Sequence, residues 1–372
     1  MLHFLLIFFI LFVILAVAPS RWLATGPHQN TNKKAFYICL SIMCALAAFR
    51  SSIVGNDTES YIYVFRECED LLKYGSRYEI GYIYLNILLK KISQTPQIVF
   101  IFCSIFIYFS FGRFIWKYSQ MPWLSILLFF LLVFSSTVNI MRQCVAIGFL
   151  LWSIDFILER KFIHFIIIIA LASLFHNTAI FFSVAWFLPK IPLTLRTVKL
   201  FVVVALIGFL AFDSLLNYAF DYFSMYELYS DSIYFEGETR TATFLQLFIS
   251  LFVSIIGYIS YNRYADECWK DTTEGKIQHL LVLLHIVASV LYFLCLKVNL
   301  LDRISLYFSV FSFISIVNAI YLLPYEMKKK MIIISVLFFL TYQSCIITYR
   351  PNWNRVYPLE FYWNDKKTTQ YI

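Results

Sequence analysis

The chain has 372 residues, of which 61% are apolar, 20% aromatic and only 14% charged. Soluble domains average about 45–50% apolar and about 25% charged residues, so this composition excludes a water-soluble globular protein and predicts a membrane protein. The net charge of +8 comes from basic residues scattered at helix ends, a pattern typical of topology signals that gives no support to nucleic-acid binding. The eight cysteines show no metal-ligand spacing, so we expect neither a metal site nor a structural disulfide.

Apolar runs close to the length of a membrane-spanning helix recur along the whole chain. Such a helix needs about 20 mostly apolar residues. The candidate spans are 2–18, 35–49, 97–116, 122–138, 144–158, 162–175, 177–189, 199–216, 241–261, 278–298, 302–322 and 331–348. The sequence therefore predicts an all-α, polytopic transmembrane helical bundle of about 10–12 spans, with residues 1–372 forming a single integral membrane domain.

Three parts of this pattern are open to more than one interpretation. The run 2–18 lacks a basic flank and exceeds the about 7–15 apolar residues of a signal-peptide core, so we expect a retained helix. The segment 79–93 is amphipathic and ends in two lysines, which favours a helix that lies on or dips into the membrane surface. The pair 162–175 and 177–189 is either two crossings or a hairpin that does not fully span.

Lysine and arginine in short loops predict the orientation of the bundle. The loops that carry the larger share of these residues are expected to face the cytoplasm, which leaves both termini outside. The outer segments are then the loops 50–96 and 217–240 and the tail 349–372. All three are rich in tyrosine or tryptophan, whose flat apolar faces and hydrogen-bonding edges suit a sugar ring. The same residues are also enriched at membrane interfaces for purely physical reasons.

Two arginines stand within otherwise apolar segments, where a charge is costly and therefore indicates function. Arg142 has about 15 mostly apolar residues on each side. Snorkelling to the interface would explain its charge but not the polar run beside it, which includes Gln143. Arg303 repeats this situation near the start of a later span, where an ion pair with Asp302 is the alternative. A guanidinium presents a planar fork that matches phosphate oxygens, so two arginines at one membrane depth would form a diphosphate clamp.

Two candidate bases lie at the predicted outer face. His176 interrupts an apolar run at a helix end, and histidine titrates near neutral pH, as a general base for a sugar hydroxyl requires. The alternative for His176 is a hydrogen-bonded packing role. Asp57 opens the first outer loop and is the alternative base, unless its segment is only a turn before a helix. The remaining candidates for substrate contact are Asn56, Thr58, Glu79, Tyr82, Gln143 and Asn177.

Several motifs of known chemistry do not occur. The sequence contains no P-loop, no serine nucleophile elbow, no His-Glu-x-x-His motif and no Gly-rich nucleotide fingerprint. Nucleotide hydrolysis and zinc chemistry are therefore unsupported. An Asp-x-Asp motif is also missing, so we expect no metal requirement and no cofactor.

Five short islands, in one fixed order, resemble the EpsG-like branch of the Wzy-type polysaccharide repeat-unit polymerases. The islands are Gly55-Asn56-Asp57-Thr58 with Tyr61, Tyr78-Glu79-Ile80-Gly81-Tyr82, Met141-Arg142-Gln143 with Ala146, Phe175-His176-Asn177-Thr178-Ala179, and Asp302-Arg303 with Tyr307-Phe308. The tail segment Asn354-Arg355-Val356-Tyr357-Pro358 is similar to the closing segment of that family. Together they extend over roughly residues 50 to 360. Ile80 departs from the proline in the Glu-Pro-Gly-Tyr version of the second island.

The resemblance implies a multi-pass glycosyltransferase of the bacterial cytoplasmic membrane. Such enzymes join repeat units carried on undecaprenyl diphosphate at the outer leaflet, and their product is an O-antigen, capsule or exopolysaccharide. The growing chain would move from its lipid diphosphate to the non-reducing end of the incoming unit. Arg142 and Arg303 would then stabilise the departing diphosphate, and His176 or Asp57 would accept the hydroxyl proton. The implied partners are the lipid-linked donor and acceptor and the bilayer, with a chain-length regulator and a flippase as further candidates.

Two other kinds of protein would use a similar basic groove. A transporter or flippase of lipid-linked sugars should show inverted repeats or helices broken by Gly or Pro in matched halves, and neither is visible in the sequence. Another membrane transferase, such as an O-antigen ligase, differs in its acceptor, which the sequence does not reveal.

Overall fold

The computed structural model describes residues 9–10, 13–18, 31–222, 241–298 and 301–364, and this part of the chain is almost entirely helical. The helices are α1 (Lys33–Ala48), α2 (Thr58–Tyr74), α3 (Ile80–Lys90), α4 (Gln97–Tyr118), α5 (Pro122–Leu132), α6 (Phe134–Asn139), α7 (Met141–Leu158), α8 (Phe162–Ser173), α9 (Leu195–Tyr222), α10 (Thr241–Tyr264), α11 (Glu267–Lys270), α12 (Thr273–Leu294), α13 (Asp302–Ser309), α14 (Ser312–Tyr321) and α15 (Tyr325–Tyr349). A π-helical turn covers Val13–Val17, and 3₁₀ segments cover Asn177–Trp186, Leu188–Lys190 and Tyr362–Asn364. The described residues form no β-strand, so the predicted all-α class is confirmed.

The number of long apolar helices bears out a polytopic membrane bundle. Within the described ranges, seven segments are long and apolar enough to cross a membrane: α4, α7, α9 over Leu195–Phe212, α10, α12, α13 together with α14, and α15. Three shorter apolar helices, α3, α5 and α8, accompany them. Several predicted spans are thus shorter helices. The predicted span 2–18 falls largely outside the described residues, as does most of the predicted loop 217–240, of which α9 takes the first part as helix.

The predicted span 122–138 is interrupted, and the interruption places polar residues at helix ends. Helix α5 starts with Pro122, which suits a first helical position. It ends before Val133, and α6 follows as a separate short helix. Within α6 the Thr137 hydroxyl donates to the carbonyl oxygen of Phe134 at 2.7 Å. The span thus divides at Val133, and α6 ends at Asn139, which stands at the joint before α7.

The chain divides into two compact units, Met1–Ile180 with Pro324–Ile372 and Phe181–Leu323. In the first unit α4 packs against α1 and α7. Asp155 fixes α4 to α7, because it accepts from Arg113 and Tyr118 and pairs with Lys117 at 3.1 Å. This cluster lies about 20 Å along α7 from Arg142, at 1.5 Å per residue.

The second unit is built around α12, which packs against α9, α10, α13 and α14. Small side chains allow α10 and α12 to approach closely. Ser250 donates to the carbonyl oxygen of His285 at 3.2 Å, and Ser289 donates to the same oxygen at 2.9 Å. Small and hydroxyl-bearing residues are the usual means of joining helices within a membrane, where both helices and lipid are apolar.

Candidate functional site

The loop before α2 is shaped by Gly55. Its φ of +88° is unfavourable for any residue with a side chain, and a Cβ atom there would come within 2.9 Å of the Thr58 hydroxyl and 3.2 Å of the Val138 carbonyl oxygen. The Gly55 N–H donates to the carbonyl oxygen of Arg355 at 2.8 Å. The Thr58 hydroxyl donates to the Val54 carbonyl oxygen at 2.5 Å, so this candidate side chain is turned into its own loop.

Asn56 joins the loop to the polar joint before α7 and to the C-terminal tail. Its N–H donates to Asn139 Oδ1 at 2.8 Å, and its own Nδ2 donates to the carbonyl oxygen of Trp353 at 2.8 Å. Asn139 Nδ2 in turn donates to Asn354 Oδ1 at 3.3 Å. The loop before α2, the α6–α7 joint and the tail therefore meet at one place, although they are far apart in sequence.

Beneath this loop lies Arg50, which is fully buried. It donates to the Ala47 carbonyl oxygen at 2.7 Å and to the Thr58 hydroxyl at 3.4 Å. Its guanidinium carbon stands 4.2 Å from the centre of the Phe100 ring, and Nη2 lies 3.5 Å from Met141 Sδ. Among the described residues no carboxylate forms an ion pair with Arg50. A buried arginine with hydroxyl, carbonyl and aromatic partners therefore ties the end of α1 to the starts of α2 and α7.

Arg142 forms an ion pair with Glu79, which lies 63 residues earlier. Arg142 stands in the first turn of α7, where the helix dipole disfavours a cation, so an anion beside it is favourable. Glu79 precedes α3, and its side chain is 9% exposed against 18% for Arg142. The position of α3 depends on Gly81, whose N–H donates to the Leu174 carbonyl oxygen at 3.0 Å. A Cβ atom at Gly81 would lie 2.6 Å from that oxygen, so only glycine permits this approach.

Three tyrosine rings surround the guanidinium of Arg142. The distances from its central carbon to the ring centres are 4.9 Å for Tyr78, 5.7 Å for Tyr82 and 6.0 Å for Tyr61. Tyr61 and Tyr82 also meet edge to face, with their centres 5.9 Å apart. Arg142 Nε is buried and makes no hydrogen bond within the part of the chain that the structure describes. The Arg142 guanidinium is therefore held by one carboxylate and by aromatic faces, and its Nε–H donates to no acceptor among the described residues.

Arg142, Glu79 and the three tyrosines form a cluster, and Asp57 contacts this cluster through Tyr61. The Tyr61 hydroxyl lies 3.4 Å from Asp57 Oδ2 and 3.2 Å from the Asn139 carbonyl oxygen. Burial raises the pKa of the Tyr61 hydroxyl, and the charge of Asp57 raises that pKa further. The phenol therefore keeps its proton at neutral pH and acts as a donor to either oxygen. Asp57 itself is half-buried, and 3.4 Å is long for an O–H···O bond, so its carboxylate is only weakly engaged by Tyr61.

His176 and Asn177 reach the cluster from the end of α8. The Asn177 N–H donates to Glu79 Oε1 at 3.3 Å, so the carboxylate that pairs with Arg142 also holds this turn. The His176 side chain is 7% exposed, and its Nδ1 lies 2.8 Å from the Thr178 hydroxyl. His176 is thus adjacent in sequence to Asn177, which bonds to the carboxylate of the ion pair, and it is largely buried.

Two further candidates lie away from these contacts. Gln143 is buried on α7, immediately after Arg142. Arg303 is the second residue of α13, where it is exposed, and it belongs to the second compact unit. The contacts described above bring together five of the predicted residues, and these are Asp57, Glu79, Tyr82, Arg142 and Asn177.

The structure adds four residues that the sequence did not single out as site residues, and these are Arg50, Tyr61, Tyr78 and Asn139. Asn139 could have been found from the sequence, because it is one of the polar residues beside Arg142, and snorkelling of Arg142 does not explain those residues. Arg50 follows an apolar run directly, and an arginine there reads as an ordinary topology signal. Within the described ranges, no group of three or more His, Cys, Asp and Glu side chains is arranged to hold a metal ion.

Comparison with known proteins assigns most of the chain to one family. The model of the EpsG family matches residues 33–361. The matched range contains every residue of the cluster and the tail segment that closes it. No curated protein and no solved structure matches the chain.

Proposed function

The chain belongs to the EpsG family, and from this premise we propose that it is a glycosyltransferase that polymerises lipid-linked oligosaccharide repeat units into a surface polysaccharide. Family membership makes it a membrane protein of polysaccharide biosynthesis. In the proposed reaction both donor and acceptor are carried on undecaprenyl diphosphate, at the outer face of the bacterial cytoplasmic membrane. The product is an O-antigen, capsule or exopolysaccharide.

The observation that carries this proposal is the environment of Arg142. The guanidinium is largely desolvated, faces three aromatic rings and uses one carboxylate as its partner. Electrostatic interactions are strong in such a site, and a cation there stabilises negative charge as it develops. A leaving diphosphate develops that charge. Glu79 is the anion that balances Arg142 until a substrate phosphate approaches.

The reaction itself requires one bond to form and one to break. A hydroxyl oxygen at the non-reducing end of the acceptor attacks the anomeric carbon of the donor sugar. The bond between that carbon and the diphosphate oxygen breaks, and undecaprenyl diphosphate leaves with the electron pair. Arg142 stabilises this leaving group, and a general base takes the hydroxyl proton.

Two residues remain candidates for that base. Asp57 is half-buried and has one weak hydrogen bond to Tyr61, which supports an accessible carboxylate. His176 precedes Asn177, which bonds to the carboxylate of the ion pair, but it is largely buried and its Nδ1 already contacts Thr178. Both observations favour Asp57 over His176.

Polymerisation can be tested with purified protein in nanodiscs and a synthetic undecaprenyl-diphosphate oligosaccharide. A ladder of products on a gel supports the proposal, whereas the absence of any product longer than a single repeat unit would contradict it. Arg142→Gln should lower the rate about 10²–10³-fold, as loss of one preorganised donor does. Arg142→Lys should restore little, because a point charge replaces a bidentate fork.

The control and the base variants use the same assay. Arg160 follows the opposite end of α7 and is exposed, so Arg160→Gln should elongate at the wild-type rate. Of the two variants His176→Gln and Asp57→Asn, the one that removes the base should lower the rate about 10²–10⁴-fold. Wild-type rates for Arg142→Gln would remove the basis of the proposal.

A further inference from the structure

Arg50 is a fully buried cation whose titratable neighbours carry no negative charge at neutral pH. The groups that act on its charge are the hydroxyls of Tyr61, Tyr82 and Tyr108 and the thiol of Cys103. Phenols and thiols are uncharged at pH 7. Among the described residues no carboxylate pairs with Arg50, so its positive charge is not cancelled by a side chain.

The ends of three helices meet at Arg50, and their dipoles act on its charge in opposite ways. Nη1 donates to the Ala47 carbonyl oxygen in the last turn of α1, where the helix dipole favours a cation. Nε and Nη2 face the first residues of α2 and α7, Thr58 at 3.4 Å and Met141 at 3.5 Å. The dipoles of these two helices disfavour a cation there. The charge of Arg50 is therefore held against the starts of α2 and α7, next to Arg142.

A second positive charge is needed at this place if an anion is to bind beside Arg142. The carboxylate of Glu79 already balances Arg142, and the half-buried carboxylate of Asp57 contacts the same cluster. A phosphate that approached these three side chains alone would meet two negative charges and one positive charge. With Arg50 the four side chains are neutral together, and the start of α7 adds a partial positive charge.

Other cations near the cluster contribute less to its field. Arg77, whose guanidinium carbon lies 5.3 Å from the centre of the Tyr78 ring, is exposed, and so is Arg355 in the tail. Water and salt screen the charges of exposed side chains. Arg50 is fully buried, where the lower dielectric constant makes its field stronger. The positive charge that offsets the second carboxylate is thus that of Arg50.

We propose that Arg50 is a positioning residue of the transferase site, and that its buried charge allows the cluster around Arg142 and Glu79 to accept a phosphate anion. The inference rests on the proposed function and deepens it, because it names the source of the positive charge at this site. Arg50 touches no substrate, since it lies beneath the loop before α2. Arg142 is the group that meets the phosphate, and Arg50 offsets the repulsion from the carboxylates.

The test measures the affinity of the purified full-length protein in nanodiscs for inorganic pyrophosphate, by isothermal titration calorimetry. Arg50→Met keeps a similar volume and removes the charge. It should raise the Kd about 10- to 100-fold, as expected for one charge between about 6 and 10 Å away at an effective dielectric constant near 20. Arg50→Lys keeps the charge and should restore most of the affinity.

The matched control is Arg113→Met, which makes the same substitution at a distant ion pair. Arg113 pairs with Asp155, which lies about 20 Å along α7 from Arg142. This variant disturbs the packing of α4 on α7 but leaves the charges of the cluster intact. The Kd for pyrophosphate should therefore equal that of the wild type.

A double variant separates the charge of Arg50 from its packing. Arg50→Met combined with Glu79→Gln removes one charge of each sign, so the Kd should return to within about threefold of the wild type or fall below it. A change at Glu79 does not repair packing lost at Arg50. A double variant that binds pyrophosphate as weakly as Arg50→Met alone would therefore assign Arg50 a structural role and overturn the inference.

The remaining outcomes separate this inference from the proposed function. Wild-type affinity in Arg50→Met, or no binding of pyrophosphate to the wild-type protein, would overturn the inference whether or not the protein elongates glycans. If Arg50→Met does not fold, Arg50→Gln takes its place, and failure of both variants to fold would show that the charge serves the fold and would overturn it too. A wild-type protein that binds pyrophosphate through Arg50 but makes no glycan ladder would instead refute the proposed function.

Discussion

Replacing Glu79 by Gln measures how far Arg142 depends on its carboxylate partner. The two side chains are 9% and 18% exposed, so the pair is largely removed from water. Removing one partner of a buried ion pair costs about 3–5 kcal/mol, because the other charge stays buried. Gln keeps a hydrogen-bond acceptor of similar size, and the ring contacts of the guanidinium persist. We therefore expect a loss of about 2–4 kcal/mol in the free energy of unfolding.

The measurement is an SDS titration of the purified protein in mixed micelles, followed by circular dichroism. Glu159→Gln is the control, because Glu159 pairs with Lys161 at 2.7 Å while both side chains are about half exposed. That variant should lose about 0–1 kcal/mol. A double-mutant cycle that combines Glu79→Gln with Arg142→Gln should show a coupling energy of roughly 1–3 kcal/mol. A loss in Glu79→Gln no larger than the loss in Glu159→Gln, with no coupling energy between Glu79 and Arg142, would show that water screens Arg142. That result would refute the desolvated site.

Two further predictions concern the residues that support this cluster. Arg50→Met should change the free energy of unfolding by less than about 1.5 kcal/mol, because similar volume is kept and a buried charge is removed, whereas Arg50→Ala should cost about 2–5 kcal/mol through the cavity it leaves. The same SDS titration checks both values, and a larger loss in the Met variant than in the Ala variant would contradict the reasoning. Asn139→Ala removes the bonds to Asn56 and Asn354, so trypsin should cleave after Arg355 faster than in the wild type in a detergent-solubilised sample. An unchanged cleavage rate would show that the tail is held without Asn139.

The membrane character of this chain could be predicted from sequence because the helices bury and expose apolar residues alike. A run such as 97–116 is apolar on all sides, and the structure places α4 there. The ends of helices were harder to predict. The span 122–138 appears continuous in hydropathy, but the Thr137 hydroxyl bonds to the backbone and the helix breaks before it. Hydropathy therefore does not show where one predicted span divides into two helices.

The candidate site was only partly visible for a related reason. Arg142 stood out because a charge within apolar surroundings is expensive. Its partner Glu79 was a candidate too, but 63 residues separate them, and no local pattern joins two such positions. Arg50 was missed because an arginine after a span usually lies at the interface, whereas here packing against Phe100 buries it completely. Whether the predicted bases and diphosphate ligands act as proposed remains a prediction.

The way the tail closes over the loop before α2 has a consequence for biogenesis. The carbonyl oxygens of Arg355 and Glu360 accept from the N–H groups of Gly55 and Ser51. The residues that carry these two carbonyl oxygens are synthesised after α1 to α15. The loop before α2 therefore lacks both acceptors while these helices insert into the membrane. A nascent chain stopped at Tyr349 would contain α1 to α15 and still leave two buried N–H groups of that loop without these acceptors. Closure of the tail thus makes assembly of the region around Asn56 and Asn139 depend on residues that follow α15.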